Sequence, residues 1–239
     1  MMFYSERQEE LITLLKKEKS MRVSSIAAKL FTSESTVRRD LTALEKEGLV
    51  RRTFGGAVIC ESENPDEPLV IRNTKNQKAK SEIAYRAAEL VRDGMVLFLD
   101  GSSTAAHLVS HLARFRDLTV ITNSPATSIA LGECGIRNFC TGGEFSSPSV
   151  SYVGGYAVDF IRDFHADIAF ISCRGFSNDG LLTESNVDFV HIKKQMMKNA
   201  KRRVFLCDSS KFGRVFSHRL ADKSDFDDII TDGKPSFCK

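Results

Sequence analysis

The sequence predicts an α/β protein in two parts, a small helical unit at the N-terminus and a larger open sheet covered by helices. Three observations carry this expectation. Three helical patterns crowd into the first fifty residues. A polar stretch with two prolines, "CESENPDEPLVIRNTKNQKAK", then changes the texture of the chain. Beyond it, short apolar runs alternate with helical patterns, and several runs are continuously apolar, as in parallel strands buried on both faces.

In chain order, residues 6–17 place Leu11, Ile12, Leu14 and Leu15 on a helical stripe, with Ser5 as a candidate cap. Residues 24–30 fit a short second helix with Ile26, Ala27 and Leu30 inward. Phe31 and Thr32 make a tight connection, and Ser33 caps a third helix that runs to about residue 47 and closes at Gly48. The run "LVRRTFGGA" then gives two extended pieces around a turn. These features bound a winged helix-turn-helix at residues 1–57, a linker at 58–79, and a second domain at 80–239. In that domain strands are expected at 95–99, 118–122, 168–172, 204–207 and 228–231, and helices at 80–92, 104–112, 125–132, 156–164 and 187–199.

The chain has 239 residues, 42% hydrophobic and 27% charged, as in ordinary soluble proteins. No apolar run is long enough to span a bilayer, and the N-terminus lacks an apolar leader core, so no membrane partner and a cytoplasmic location are expected. The six cysteines form no C-x-x-C pair, which reads as reduced thiols. The five histidines have no metal spacing, so neither a metal nor a cofactor is expected. Net charge is +3; residues 1–56 hold 11 Lys/Arg against 8 Asp/Glu, while the rest is balanced at 23 each. The basic excess therefore lies with the helices at the N-terminus.

Advancing about 100° per residue along the third helix, Val37, Leu41 and Leu44 point to the core. Ser35, Arg39 and Thr42 cluster opposite, flanked by Thr36 and Arg38. Arginine grips guanine bidentately and short hydroxyls reach phosphates or base edges, so this face suits a major groove. Ser24 at the preceding helix adds a phosphate contact, and Arg51 and Arg52 place two cations on the wing. A charged, solvated helix face is the plainer reading of any one Arg pair. The joint pattern is more specific, and it implies double-stranded operator DNA as a partner.

At "SESTVRRDLTALEKEGLVRRTFGGA" the sequence resembles the DeoR family of bacterial transcription regulators. The resemblance implies a regulator, most often a repressor, of a sugar-utilisation operon. Helix-turn-helix proteins generally bind paired half-sites, so a homo-oligomer, dimer or tetramer, is expected.

The second domain carries loops suited to a phosphate. In "VLFLDGSSTAAHLVSHL" a buried strand ends at Asp100, turns through Gly101, Ser102, Ser103 and Thr104, and enters a helix. Backbone N–H groups there favour anions, although the same run suits an ordinary capped turn. The Walker lysine is absent, which points to a monophosphate and away from a nucleoside triphosphate. "VITNSPATSIAL" repeats the logic with Thr122 and Asn123, "CTGGEF" places Gly142 and Gly143 after a short strand, and "FLCDSSKFG" ends a strand on Asp208 and Lys211. All four loops fall at carboxyl ends of strands, where open α/β sheets bind ligands.

These segments resemble the family's effector domain, similar in fold to pentose-phosphate isomerases and glucosamine-phosphate deaminases. The resemblance implies a phosphorylated sugar at these loops and maps the family's lysine, in "HIKKQMMKNA", to Lys193; a solvated helix face is the alternative there. Two positions depart from the family pattern. Arg174 stands where a small residue is usual, able to clamp a phosphate or pair with a carboxylate, and Phe189 stands at the usual helix acid, with Asp188 one residue earlier. The rival reading is a sugar-phosphate isomerase or deaminase with a helical accessory module, using Asp179, Glu184 or Asp188 as base. The absence of a clear acid/base pair disfavours it, and no catalytic residue is assigned.

Overall fold

The computed structural model describes residues 4–18, 20–46, 49–59 and 68–233. The chain divides into two compact units, Met1–Lys75 and Asn76–Lys239.

The first unit is built on α1 (Tyr4–Glu18), β1 (Ser20–Arg22), α2 (Val23–Lys29), α3 (Glu34–Lys46), β2 (Val50–Thr53), β3 (Gly56–Ile59) and α4 (Leu69–Thr74). Leu11, Ile12 and Leu15 of α1, Ile26 of α2, and Val37, Leu41 and Leu44 of α3 share one core. Asp40, buried under α3, receives a two-point ion pair from Arg7 of α1 at 2.6 and 3.0 Å. Both carboxylate oxygens are thereby satisfied, and α3 is fixed to α1.

Ser33 caps α3, its Oγ accepting the Thr36 N–H at 3.2 Å. Ser5, a candidate cap in the sequence, lies within α1 rather than before it. Gly48 lies outside the described residues. The wing forms as expected, β2 and β3 pairing antiparallel around Phe54 and Gly55. The sequence pattern did not announce β1, which pairs with β3 as a third strand; three residues are too few for a periodic signal.

The stretch 58–79, expected to be a linker, instead contains the end of β3, all of α4 and the start of the next helix. Ile71 of α4 is buried in the core of the first unit, and Lys16 of α1 donates to the Ile71 carbonyl and the Thr74 hydroxyl. The division between the two units, after Lys75, falls inside this stretch; a six-residue helix carries no sustained period, which is why the sequence does not announce α4.

The second unit runs α5 (Gln77–Ala88), β4 (Val96–Leu99), α6 (Ser103–Ala106), α7 (Val109–Leu112), β5 (Thr119–Thr122), α8 (Pro125–Glu133), β6 (Arg137–Cys140), β7 (Glu144–Ser146), β8 (Ser151–Val153), α9 (Gly155–Arg162), β9 (Ala166–Ile171), β10 (Gly175–Phe176), β11 (Leu181–Glu184), α10 (Val187–Lys198), β12 (Ala200–Cys207), β13 (His218–Asp222) and β14 (Asp228–Thr231). Six strands form one sheet, β14-β12-β9-β4-β5-β6, every neighbouring pair parallel. One face buries Leu97, Leu99, Val120 and Phe170 under α5, α7 and α8; the other buries Phe98, Ile121, Ala169 and Phe205 under α9 and α10. Burial on both faces accounts for the continuous apolar runs. The helix expected at 104–112 is broken, since Leu108 and His111 turn back to Ala105 and Leu108 with tighter i−3 bonds.

The strand order matters for function. From β4 the chain moves outward through β5 to β6, then returns to place β9 on the other side of β4. The order reverses between β4 and β9, and ligands in open α/β sheets sit outside the carboxyl ends of the strands at such a point.

Candidate functional site

In the first unit α3 presents the expected face. Ser35, Arg38 and Arg39 are exposed and Thr36 and Thr42 are half-buried, opposite the core residues. The hydroxyls of Ser35 and Thr36 gather on the Ser33 Oγ at 2.9 and 2.8 Å. Arg38 pairs with Glu34 at 2.7 Å, so this face holds an acid that the helical projection left out. Arg39 has no hydrogen-bond or ion-pair partner among the described residues. Ser24 is exposed in the first turn of α2.

The wing arginines divide. Arg51 lies in β2, but its side chain is outside what the structure describes. Arg52 is fastened to α3: the Glu45 carboxylate accepts its backbone N–H at 2.7 Å and lies 3.4 Å from its Nε, and its Nη1 donates to the Thr42 hydroxyl. Arg52 therefore positions the wing before it offers charge to anything else. The helical projection sets Glu45 near the core stripe, whereas it is exposed and pairs with the wing; its place seven residues before Arg52 carries no local signal of that pairing.

In the second unit the loops after β4, β9 and β12 meet in one hydrogen-bonded network at the strand-order reversal. Asp100, fully buried, accepts the backbone N–H groups of Ser102 at 3.1 Å and Ser172 at 3.0 Å, so it ties the β4 loop to the β9 loop. Lys193 of α10 points in from beside them. Its ammonium lies 3.2 Å from Asp100, pairs with Glu184 of β11, and donates to the Ser172 carbonyl at 2.9 Å. Burial alone would push the Lys193 pKa down; the Glu184 and Asp100 carboxylates outweigh that and hold it above the ordinary lysine value. The solvated-face reading fails for Lys193 and holds for its exposed neighbour Lys194.

Lys211 crosses the same space from the β12 loop. Its ammonium donates to the Ser172 hydroxyl at 2.7 Å and the Thr104 hydroxyl at 3.2 Å, with Asp208 at 3.5 Å. Asp208 also accepts from the Asn76 amide at 2.9 Å and from the Ser210 hydroxyl. Burial pushes its carboxyl up, but Lys211, Ser210, Lys80 and Asn76 together hold it below the usual carboxylate range. Ser102 caps α6 by accepting the Ala105 N–H at 3.1 Å, and the buried Ser103 meets the His107 ring through its carbonyl at 2.7 Å. Arg174, half-buried, follows Ser172 and Cys173 in the β9 loop.

Thr122, Asn123, Gly142 and Gly143 belong to a second cluster, at the ends of β5 and β6. The Thr122 hydroxyl accepts the Ser124 N–H at 3.1 Å, and the Asn123 amide holds β8 through the Tyr152 carbonyl at 3.0 Å. The Asn123 Oδ1 is buried and has no hydrogen-bond partner among the described residues. Two of the glycines serve close packing: a Cβ on Gly101 would collide with the Ser151 hydroxyl, and one on Gly143, at φ +107°, would lie 2.7 Å from the Val153 carbonyl. Gly142 alone of the three leaves open space where a side chain would stand.

Sequence reasoning missed Ser172, Lys80 and the pairing role of Glu184. Ser172 and Lys80 carry no motif. Glu184, a candidate base in the sequence, is the partner of Lys193 in place of an acid on α10. Among the described residues no cluster of His, Cys, Asp and Glu could hold a metal ion, and no helix is long and apolar enough to cross a membrane.

The profile of the DeoR-like helix-turn-helix domain matches residues 7–63, and that of the DeoR C terminal sensor domain matches residues 75–233. The HTH-type transcriptional regulator GolR of Listeria innocua is 35% identical over 98% of this chain and 92% of its own. The putative aga operon transcriptional repressor of Escherichia coli O157:H7 is 32% identical, with 95% of this chain and 86% of that one covered. The L-fucose operon activator of Escherichia coli K12 is 30% identical, covering 95% and 94%. Among solved structures, the tetrameric eIF2B-beta2-delta2 complex from C. thermophilum has a TM-score of 0.50 at 14% identity over 83% of this chain and 62% of that one, a likeness of fold alone. Ribose 5-phosphate isomerase A from Methanocaldococcus jannaschii has a TM-score of 0.44 at 22% identity, covering 58% of this chain and 55% of that one, so the chain spans about half the length of that enzyme. The three curated relatives are transcription regulators, and this chain is a regulator rather than an isomerase or a deaminase. With a DNA-binding helix-turn-helix unit followed by a sensor unit, the chain belongs to the DeoR family of transcription regulators.

Proposed function

We propose that the protein is a repressor of a sugar-utilisation operon that leaves its operator when a phosphorylated sugar binds the second unit. The observation that carries this reading is the meeting of the β4, β9 and β12 loops at the strand-order reversal. There Lys211 presents an ammonium beside the Thr104 and Ser172 hydroxyls, a set suited to phosphate oxygens. Gly142 and the unpartnered Asn123 Oδ1 lie at the neighbouring strand ends and suit sugar hydroxyls. Arg174 joins the phosphate end from the β9 loop. Asp100, Glu184 and Lys193 hold the loops in place, and Ser102 and Ser103 shape the turn between them.

On the DNA side Arg39 reads base edges, Arg38 exchanges Glu34 for a phosphate, and Ser24, Ser35, Thr36 and Thr42 add neutral contacts. Arg51 and Arg52 form the wing. The relatives named for aga and L-fucose operons support a sugar operon as the target. The protein acts in the cytoplasm as a homo-oligomer on paired half-sites. Ile129, Phe145 and Tyr156, exposed on α8, β7 and α9, supply apolar surface for its assembly.

Selection of duplexes from a random pool by the full chain tests the DNA side. Enrichment of a sequence with two related half-sites is expected. Recovery of no preferred sequence, even at low salt, contradicts it.

A further inference from the structure

We propose that Asn76 is a positioning residue that passes occupation of the phosphate-binding loops on to α4 of the first unit. This deepens the sensor reading above and rests on it. Asn76 opens the second unit and directly follows Lys75, the last residue of the first. Asparagine is a preferred helix cap, yet the Asn76 side chain makes no capping bond to α5, which it precedes. Its amide donates instead to the Asp208 carboxylate and the Ser210 hydroxyl, each at 2.9 Å, 132 and 134 residues further along the chain. The Asn76 backbone is left-handed, φ +54° and ψ 34°, a conformation that glycine and short polar residues accept and most others resist.

Asp208 faces two ways. Its Oδ1 accepts from Asn76 and Ser210, while its Oδ2 lies 3.5 Å from the Lys211 ammonium. The carboxylate is buried, so water does not replace these partners when one is lost. A phosphate seated on Lys211 engages the ammonium that balanced Asp208 and sets like charge against Oδ2. Asp208 then turns from the phosphate, and the Asn76 amide loses its acceptor.

Little slack absorbs that loss. Only Lys75 and Asn76 separate α4 from α5. On one side Ile71 of α4 is buried in the core of the first unit, and Lys16 of α1 holds the Ile71 carbonyl and the Thr74 hydroxyl. On the other side Ile83, Ala84 and Ala87 bury α5 against the sheet, and Arg86 donates to the Thr231 carbonyl at 2.7 Å. A ligand shifts an equilibrium only through contacts that differ between its two states. The bond from Asn76 to Asp208 is such a contact, one carboxylate away from Lys211 and two residues away from α4.

The test is hydrogen exchange of the full chain with and without inorganic phosphate, at matched ionic strength, in wild type, Asn76→Gly and Asn76→Asp. Glycine takes the left-handed backbone without strain; aspartate keeps the backbone preference but turns a carboxylate toward Asp208. In wild type, phosphate is expected to slow exchange at residues 100–105 and 208–212 and to speed it at 69–74, where α4 lies. Both variants are expected to keep the slowing at the loops, with exchange at 69–74 no longer responding to phosphate. A merely structural role changes the rate at 69–74 but leaves its response to phosphate in place. A response at 69–74 in the variants equal to that in wild type overturns the proposal, as does protection of the wild-type loops with no response at 69–74; both leave the phosphate site standing. Loss of loop protection in the variants also overturns it, since Asn76 then belongs to the phosphate site itself. Wild-type loops that no concentration of phosphate protects defeat the sensor reading, and the proposal with it.

Discussion

The Glu45 carboxylate accepts the backbone N–H of Arg52 at 2.7 Å and lies 3.4 Å from the same residue's guanidinium. One acid at the end of α3 thus sets where the wing stands relative to the helix proposed to face DNA. Glu45→Ala and Arg52→Ala are each expected to reduce operator affinity several-fold, since exposed pairs contribute up to about 1 kcal/mol. The double variant is expected to lose no more than the worse single one, the mark of two residues acting as a unit. Additive losses in a binding titration would instead make Arg52 an independent phosphate contact.

Arg39 and Arg38 are expected to separate in a different way. Arg39→Ala is expected to cost about 1–3 kcal/mol on the selected operator and far less on a scrambled duplex, because a base-edge contact is lost. Arg38→Ala is expected to weaken both duplexes alike and to reduce the salt slope by about one. Competition binding across a salt series distinguishes the two.

Lys193 is the cation between two buried acids, Asp100 and Glu184. Lys193→Met leaves both carboxylates buried without it and is expected to destabilise the second unit by about 3–5 kcal/mol. Chemical denaturation followed by circular dichroism measures this. A loss below about 1 kcal/mol would show that the pair is dispensable for folding.

Asp208 gives a pH dependence. Its folded pKa is held below the usual carboxylate value by Lys211, Ser210, Lys80 and Asn76, against the upward push of burial. Its contribution to stability is therefore complete above the unfolded carboxylate value and is lost as pH falls through the folded one. Asp208→Asn is expected to be less stable than wild type at neutral pH and to lose less stability from about pH 5 downward. Parallel acid limbs for the two proteins in denaturant titrations would assign the acid sensitivity elsewhere.

The sequence made α3 legible because Val37, Leu41 and Leu44 fix its rotation, and with it the outward side of Arg39. The six parallel strands were legible in outline because burial on both faces leaves continuous apolar runs. The partners within the site were not. Lys193 meets Glu184 only once α10 turns back beside β11, nine residues earlier, and Arg52 meets Glu45 only once the wing folds back. Gly101 and Gly143 suggested a cradle for phosphate, whereas they make room for Ser151 and Val153. No helical or strand period encodes encounters between successive elements, and the short elements β1 and α4 are too brief to carry a period at all.

Fluorescence anisotropy of the selected operator, at fixed salt, tests the coupling between the two units most directly when phosphorylated sugars and their unphosphorylated parents are titrated in turn. One phosphorylated sugar is expected to raise the operator Kd at least tenfold, about 1.4 kcal/mol of coupling, in the wild type but not in Lys211→Ala. Release by an unphosphorylated sugar alone, or an operator Kd that no phosphorylated sugar changes, would contradict a sugar-phosphate sensor.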